Sequence, residues 1–144
     1  MGEKEAAPAR RPHPVPDADS EGFWAAAKKG ELRIRRCLSC RTYIHFPAPV
    51  CSVCASRDHE WALVSGRGTV YTFTIVAYAT TPGFIPPYAV AWIELEEQAG
   101  LRMLSDIVEC PHDAVRIGMP VEVVFDKLDG AVVAVVPRFR PRSG

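Results

Sequence analysis

The 144-residue sequence predicts a mainly β protein with an N-terminal helix, a small metal-binding ribbon and a C-terminal five-stranded barrel. Two cysteine pairs in the first half of the chain, each with two residues between its members, indicate the ribbon. From Gly66 onward, apolar and polar residues alternate with the period of a β-strand over several runs. Before the cysteines, Phe23, Trp24 and Ala27 recur at helical spacing between Ser20, which can cap a helix, and Gly30, which can end one.

The cysteine pairs are Cys37 with Cys40 and Cys51 with Cys54, and ten residues separate them. Knuckles with this spacing can close four thiolates on one soft divalent ion, so they predict a rubredoxin-like zinc ribbon. A redox dithiol requires only one pair, and a disulfide framework is typical of secreted chains. Because four thiolates leave no ligand position for water, the zinc is expected to be structural. A mononuclear iron uses the same ligand set and stays open as an alternative.

Three short strands of the ribbon are predicted at 31–36, 43–47 and 60–64. His45 lies between the cysteine pairs, but the ligand set is complete without it. We therefore interpret it as a surface residue or as one that contacts a metal ligand. The fifth cysteine, Cys110, precedes a predicted helix start and has His112 nearby. Since no oriented base or anion-stabilising pocket is evident there, a structural thiol is favoured over a nucleophile.

The barrel prediction rests on five strand-like runs with turn signals between them. Asp129-Gly130 is typical of a tight hairpin turn between the last two runs. The segment 111–117 begins with proline and is followed by Gly118, which predicts a short helix between the third and fourth strands. This order is the layout of an OB barrel. The five predicted strands are 67–78, 88–95, 101–108, 121–128 and 131–136.

The predicted organisation is a flexible proline-rich tail or linker at 1–20, the helix and ribbon at 21–64, the barrel at 65–137 and a basic tail at 138–144. Lys plus Arg and Asp plus Glu each number 17, so no net positive charge draws the chain to nucleic acid or membrane. No signal peptide is evident and the apolar runs are short, which predicts a soluble cytoplasmic protein. Small basic clusters are interpreted as solvated surface: Arg33, Arg35, Arg36 and Arg41, then Arg138, Arg140 and Arg142.

Two apolar segments are candidates for contact with a partner. The short helix contains Phe23 and Trp24, which either pack on the body of the chain or dock on another protein. The loop at 79–87 contains three prolines and displays Phe84. Such a stiffened apolar loop suits an interface or a ligand mouth, and we favour this over a lid folded on the barrel end. The candidate contact residues for a partner or a coenzyme A (CoA) channel are Phe23, Trp24, Phe84, Ile85, Pro86 and Pro87.

The order of motifs resembles a known family over roughly residues 23–137. After the aromatic helix come Gly30-Glu31-Leu32, the knuckles with Phe46-Pro47 between them, Trp61, Gly66-Arg67-Gly68 and Ile117-Gly118-Met119-Pro120-Val121. This order resembles the zinc-ribbon plus OB-fold family that is catalogued as a domain of unknown function and accompanies thiolase-like acyl-CoA enzymes. The sequence departs from the family at Arg41 and Ala55, which follow the knuckles where the family usually has glycine, the residue that adopts positive φ most easily.

The resemblance implies a non-catalytic accessory subunit or domain. A thiolase-like partner would hold the chemistry and most of the acyl-CoA substrate, and this chain would stabilise it or help to form its CoA channel. The sequence looks most like the domain attached to a steroid side-chain enoyl-CoA hydratase, which pairs with a thiolase-like aldolase that cleaves an acyl-CoA by a retro-aldol reaction. The proline-rich start would then be an interdomain linker.

Two other function classes stay open. Zinc ribbons and OB barrels also serve as single-stranded nucleic-acid-binding modules. The neutral charge and the lack of a basic stripe interleaved with aromatic residues argue against that function. A stand-alone enzyme is the third possibility, but no paired carboxylates, catalytic triad or phosphate loop is evident in the sequence.

Overall fold

The computed structural model describes residues 11–79, 81–128 and 134–143. Within these residues, the α-helix α1 spans Glu21–Lys28, and a 3-10 turn spans His112–Ala114. The ribbon consists of three strands: β1 (Arg33–Cys37), β2 (Tyr43–Ile44) and β3 (His59–Leu63). The barrel consists of five: β4 (Arg67–Val76), β5 (Tyr88–Leu95), β6 (Arg102–Ile107), β7 (Pro120–Leu128) and β8 (Ala134–Pro141).

The predicted fold class is confirmed. The ribbon is an antiparallel sheet in the order β2-β1-β3, and the barrel closes in the order β4-β5-β6-β8-β7. The pairs β4–β5, β5–β6 and β7–β8 are antiparallel, whereas β6 pairs with β8 in parallel through Ile107 and Phe139. The 3-10 turn lies between the third and fourth barrel strands, which is the place expected in an OB fold.

One hydrophobic core joins the ribbon to the barrel. Phe139 and Val121 are buried inside the barrel, and Ile34 from the ribbon belongs to the same cluster. Phe23 of α1 also belongs to it and is only 7% exposed, so its burial contributes about 2 to 3 kcal/mol to folding. The helix therefore packs on the chain's own body, which was one of the two outcomes that the sequence left open.

The helix lies directly on the ribbon because one of its residues lacks a side chain. A β-carbon at Gly22 would overlap the indole ring of Trp61, which is in β3. Glycine is otherwise unfavourable inside a helix, at about 1 kcal/mol relative to alanine. The close approach of α1 to β3 explains its presence.

The helix begins differently from the prediction. Ser20 makes no side-chain capping bond, so its predicted capping role is wrong. Instead, Asp17 Oδ1 accepts hydrogen bonds from the backbone N–H of Ser20 at 2.8 Å and from its hydroxyl at 2.7 Å. The carbonyl of Asp17 accepts from the N–H of Glu21 at 2.9 Å. Residues 17–20 thus form a hydrogen-bonded turn rather than the end of a flexible tail.

The other differences lie at element ends. The predicted helix at 111–117 is reduced to its 3-10 turn because Val115 adopts an extended conformation and packs into the core. Strand β8 continues through Pro141, since Phe139 fills the barrel interior, so residues 138–141 are not a tail. The predicted Asp129-Gly130 turn, residues 131–133 of the last predicted strand and residues 1–10 of the predicted tail lie outside the described residues.

Candidate functional site

The two knuckles have the same backbone geometry. The N–H of Arg41 donates to the carbonyl of Cys37 at 3.0 Å, and the N–H of Ala55 donates to that of Cys51 at 3.0 Å. Arg41 and Ala55 have φ values of 65° and 63°. The chain thus adopts the left-handed turn without glycine, at a cost of about 1 kcal/mol for each residue. The departures from the family pattern leave the knuckle geometry intact.

The four predicted ligand residues lie together. The sulfur atoms of Cys37, Cys40, Cys51 and Cys54 are all within 4.8 Å of one another. Cys37 Sγ lies 3.5 Å from Cys54 Sγ, and Cys40 Sγ lies 3.6 Å from Cys51 Sγ. A tetrahedral zinc ion with Zn–S bonds of about 2.3 Å separates its sulfur ligands by about 3.8 Å. The arrangement fits a structural zinc ion, as the sequence predicted, and His45 is not part of the cluster.

Two of the four thiols differ strongly in pKa. The Thr42 hydroxyl, 3.2 Å from Cys40 Sγ, lowers the pKa of Cys40 to about 6. A backbone hydrogen bond from Ser56 lowers the pKa of Cys54, but contact with the Cys37 sulfur and burial raise it more, to about 11. One thiolate therefore forms easily, and further ones repel it. A bound cation removes that repulsion, which is why such clusters release protons when they take up metal.

A buried arginine supports the ribbon, and the sequence did not predict it. Arg35 was interpreted as solvated surface, but it is only 5% exposed, so that interpretation is wrong. Its guanidinium donates to the Ala48 carbonyl at 2.6 Å and lies 2.6 Å from the Nε2 atom of His59. It also lies 3.5 Å from Asp19. Arg35 thus ties the segment between the knuckles to β3 and to the turn before α1.

An apolar cavity of about 420 Å³ lies between α1, the segment after β2 and strands β5, β6 and β8. Trp24, Val90 and Met103 contribute to its largely apolar wall, and the Asp106–Arg138 ion pair contributes polar atoms. The volume falls within the range of small-molecule pockets. The full set of described residues that line it is Arg11, Ser20, Phe23, Trp24, His45, Phe46, Pro47, Phe84, Tyr88, Val90, Met103, Leu104, Ser105, Asp106, Val136, Pro137 and Arg138.

His45 is in the wall of this cavity. Its ring lies 5.8 Å from the ring of Phe23 and 4.8 Å from that of Phe46. Burial lowers the pKa of His45 to about 4, so its imidazole is neutral near pH 7. His45 is half-buried, so it lies neither fully at the surface nor in the core, and its interpretation as a contact of a metal ligand stays a prediction. The sequence signal was its position between Ile44 and Phe46, in an apolar run before Pro47.

The predicted contact residues differ in their exposure. Phe84 stacks on Tyr88 at 5.8 Å, and the guanidinium of Arg11 lies 4.6 Å above its ring. Phe84 therefore lines the cavity, whereas Ile85 is 85% exposed. Trp24 is partly buried, and Phe23 is buried in the core. The two remaining members of the loop, Pro86 and Pro87, are exposed.

Cys110 and the C-terminal arginines offer no further reactive group. Cys110 is partly buried against the core, and its thiol donates to the Pro111 carbonyl at 3.4 Å, as in a structural cysteine. Arg138 donates to Asp106 at 2.9 Å and to Asp126 at 2.8 Å. In the same way, Arg140 pairs with Glu122 and Glu109. Within residues 11–79, 81–128 and 134–143, no helix is long and apolar enough to cross a membrane.

Comparison with known proteins identifies both parts of the chain. The family described as "ChsH2, rubredoxin-like zinc ribbon domain" matches residues 24–60. The family described as "ChsH2, C-terminal OB-fold domain" matches residues 61–126. The predicted ribbon and OB barrel are confirmed by these matches as well as by the strand order.

Three curated relatives cover most of the chain. A "Probable enoyl-CoA hydratase alpha subunit" from Thermomonospora curvata is 38% identical over 92% of this chain and 40% of its own length. The "3-oxo-4,17-pregnadiene-20-carboxyl-CoA hydratase alpha subunit" of Mycobacterium tuberculosis is 36% identical over 78% of this chain and 35% of its own. A "DUF35 domain-containing scaffold protein" from Methanocaldococcus jannaschii is 37% identical over 74% of this chain and 78% of its own. The chain thus spans less than half the length of the two hydratase subunits.

A solved structure shares the whole fold. The chain is similar to one in a structure titled "Ltp2-ChsH2(DUF35) aldolase", with a TM-score of 0.80 and 35% identity. The similarity covers 89% of this chain and 98% of that one. The chain therefore belongs to the DUF35 family, whose members join a ChsH2-type zinc ribbon to an OB-fold barrel.

Proposed function

We propose that the chain is a non-catalytic accessory subunit or domain that binds and stabilises a thiolase-like acyl-CoA enzyme. The observation that carries the proposal is its similarity, over nearly the full length of both chains, to the ChsH2(DUF35) part of an aldolase complex. The name of the Methanocaldococcus relative, a scaffold protein, supports the same role. In this role the partner holds the acyl-CoA and the reacting groups.

The site chemistry agrees with a supporting role. A zinc ion held by four thiolates has no open position for a substrate, so it contributes to folding rather than to Lewis-acid chemistry. The Cys110 thiol donates a hydrogen bond to a carbonyl, which is not the arrangement of an activated nucleophile. Within the described chain, the neutral His45 makes no hydrogen bond to a carboxylate that would orient it as a base.

The contact surface that we propose is the loop at 79–87 together with the exposed part of Trp24. Ile85 and Tyr78 are 85% and 88% exposed, so the loop and the residue before it offer apolar area to a partner. Phe84 extends this surface toward Trp24, because both residues line the same cavity. Phe23 is excluded from the surface, since it is buried in the core of the chain itself. Pro86 and Pro87 stiffen the loop and lower the entropy cost of binding.

More specifically, we propose that the partner is a retro-aldol C–C lyase of steroid side-chain degradation. The loop at 79–87 then forms part of the CoA channel of that enzyme. This assignment is supported by the name of the Mycobacterium relative, a 3-oxo-4,17-pregnadiene-20-carboxyl-CoA hydratase subunit, and by the aldolase title of the solved structure. The proline-rich start, predicted at 1–20, is then a linker or tail as far as the turn at 17–20, and it precedes the 21–64 ribbon unit and the 65–137 barrel. The expected metal is zinc rather than iron, and its four cysteine ligands all belong to the ribbon.

Single-stranded nucleic acid is the less favoured ligand. On the barrel, Arg102 lies 3.6 Å above the ring of Tyr71 and 3.3 Å from Glu94. Arg138 and Arg140 each contact two carboxylates. A phosphate backbone would have to displace these carboxylates, and the charge of the whole chain offers no compensating attraction.

Co-expression with the thiolase-like partner tests the proposed surface. Replacing Trp24 or Phe84 with alanine is expected to weaken assembly by more than about 1 kcal/mol, or about fivefold in Kd. Ile85→Ser should weaken it as well. Ile117→Ser is a matched control, because Ile117 is also exposed, at 69%, but lies outside the loop. Size-exclusion chromatography measures assembly and zinc content reports folding. Equal assembly by all four variants and the wild type would contradict the proposed surface.

A further inference from the structure

The apolar cavity contains one polar group that no neighbour satisfies. No hydrogen bond to either ring nitrogen of His45 is found within the described parts of the chain, and its contacts are with aromatic rings. His45 is half-buried, so a molecule in the cavity competes with water for its ring nitrogens. Because His45 also lines the cavity, a molecule in the cavity can supply the missing hydrogen bond.

Most of the other polar groups of the wall are paired within the chain. Ser105 Oγ donates to the Pro137 carbonyl at 3.1 Å. Arg138 is shared between Asp106 and Asp126, so its charge is compensated. Arg11 also lines the cavity, with its guanidinium 4.6 Å above the ring of Phe84. The wall is therefore largely apolar, and the neutral imidazole of His45 is the hydrogen-bonding group that it offers beside this stacked guanidinium.

We propose that this cavity binds a small neutral molecule that has an apolar body and one carbonyl or hydroxyl oxygen, with His45 as its hydrogen-bonding partner. The volume of about 420 Å³ suits a compact ring system or a branched chain rather than a single partner side chain. A carbonyl accepts from the N–H of the neutral imidazole, and a hydroxyl can donate to its bare nitrogen. The cavity lies apart from the four thiols, and this inference does not depend on the accessory role.

The test uses the zinc-loaded chain and the fluorescent naphthyl ketone prodan, which is neutral and emits at shorter wavelength in apolar surroundings. Binding in the cavity is expected to saturate at one probe per chain, with energy transfer from the adjacent Trp24. His45→Phe retains the size and apolarity of the wall but removes the hydrogen bond. It should raise Kd about five- to tenfold, as expected for one hydrogen bond of about 1 to 1.5 kcal/mol.

Two further variants locate the probe. Val90→Trp fills the cavity and should abolish saturable binding, whereas Ile117→Ser changes an exposed side chain outside the cavity wall and should leave Kd unchanged. Zinc content and the urea midpoint verify that each variant folds. If Val90→Trp does not fold, the comparison of His45→Phe with the wild type decides.

Three results would overturn the inference: no saturable binding to the wild type, equal Kd for the wild type and His45→Phe, or persistence of binding in a folded Val90→Trp chain. Tighter binding of the anionic probe 1-anilinonaphthalene-8-sulfonate than of prodan would also overturn it, because it would indicate an anion site. An emission change that depends on the presence of a partner protein would assign the apolar surface to the interface instead.

Discussion

Acidification should destabilise the chain through His45. Burial lowers the pKa of this imidazole from its ordinary value of 6.5 to about 4. Between these two pH values the unfolded chain binds a proton at His45 that the folded chain excludes. The stabilisation is therefore complete above about pH 6.5 and is lost as the pH falls toward about 4. The shift corresponds to about 3 kcal/mol in total, of which about 2 kcal/mol is lost between about pH 7 and about pH 5.

The charged groups around His45 do not change the sign of this effect. Arg11, Asp106 and Arg138 line the same cavity, but Asp106 is paired with Arg138 and so does not offer a free carboxylate to an imidazolium ion. Burial is the cause of the lowered pKa of His45. An imidazolium ion at this position would lose part of its hydration, which is unfavourable.

Urea unfolding of zinc-loaded protein at about pH 7 and about pH 5 measures the effect, with His45→Phe as the control. Loss of zinc in acid affects both proteins, so the difference between their pH dependences isolates the imidazole. The wild type should lose about 2 kcal/mol more than the variant. Titration of the His45 ring by NMR should give a midpoint near 4. An equal loss of unfolding free energy in the two proteins, or a His45 titration midpoint near 6.5, would contradict the assignment of the acid sensitivity to His45.

Four further predictions follow from the ribbon, the helix and the charge distribution. Cys51→Ser should abolish stoichiometric zinc by elemental analysis and unfold the ribbon, and a metal-free variant with an unchanged cooperative melt would contradict this. Ala55→Gly should raise the free energy of unfolding by up to about 1 kcal/mol, because φ at this position is positive. Gly22→Ala should lower it despite the better helix propensity of alanine, since the added carbon overlaps Trp61, and a stabilised variant would show that α1 is not seated on β3. By fluorescence anisotropy at physiological salt, labelled single strands should bind no tighter than about 10⁻⁴ to 10⁻⁶ M, and salt-resistant nanomolar binding would favour the nucleic-acid function.

The metal site and strand order could be predicted because they depend on local signals. Four cysteines at knuckle spacing admit few arrangements, and period-two alternation marks strands that bury one face. The ends of elements depend on distant contacts and were predicted less well. Val115 leaves the helical conformation to enter the core, and Phe139 extends β8 because it fills the barrel. Neither contact can be predicted from the residues that are neighbours in the sequence.

The cavity could not be predicted for the same reason. Its walls come from α1, the segment after β2 and three barrel strands, which lie far apart in sequence. His45 has an ordinary position between two cysteine pairs, and its partial burial depends on Phe23 of α1, which packs against its ring. Arg35 is similar, since its charge suggested solvent while the fold placed it against Ala48 and His59. Buried polar groups of this kind are where a sequence pattern is least informative.

Reconstitution of acyl-CoA cleavage tests the accessory role most directly. The thiolase-like partner, this chain and the two co-expressed together are compared in one coupled acyl-CoA assay, with zinc content measured on the same samples. We expect that this chain alone has no activity and that the stable complex cleaves the acyl-CoA. Full activity of the partner in the absence of this chain, or cleavage by this chain alone, would contradict it.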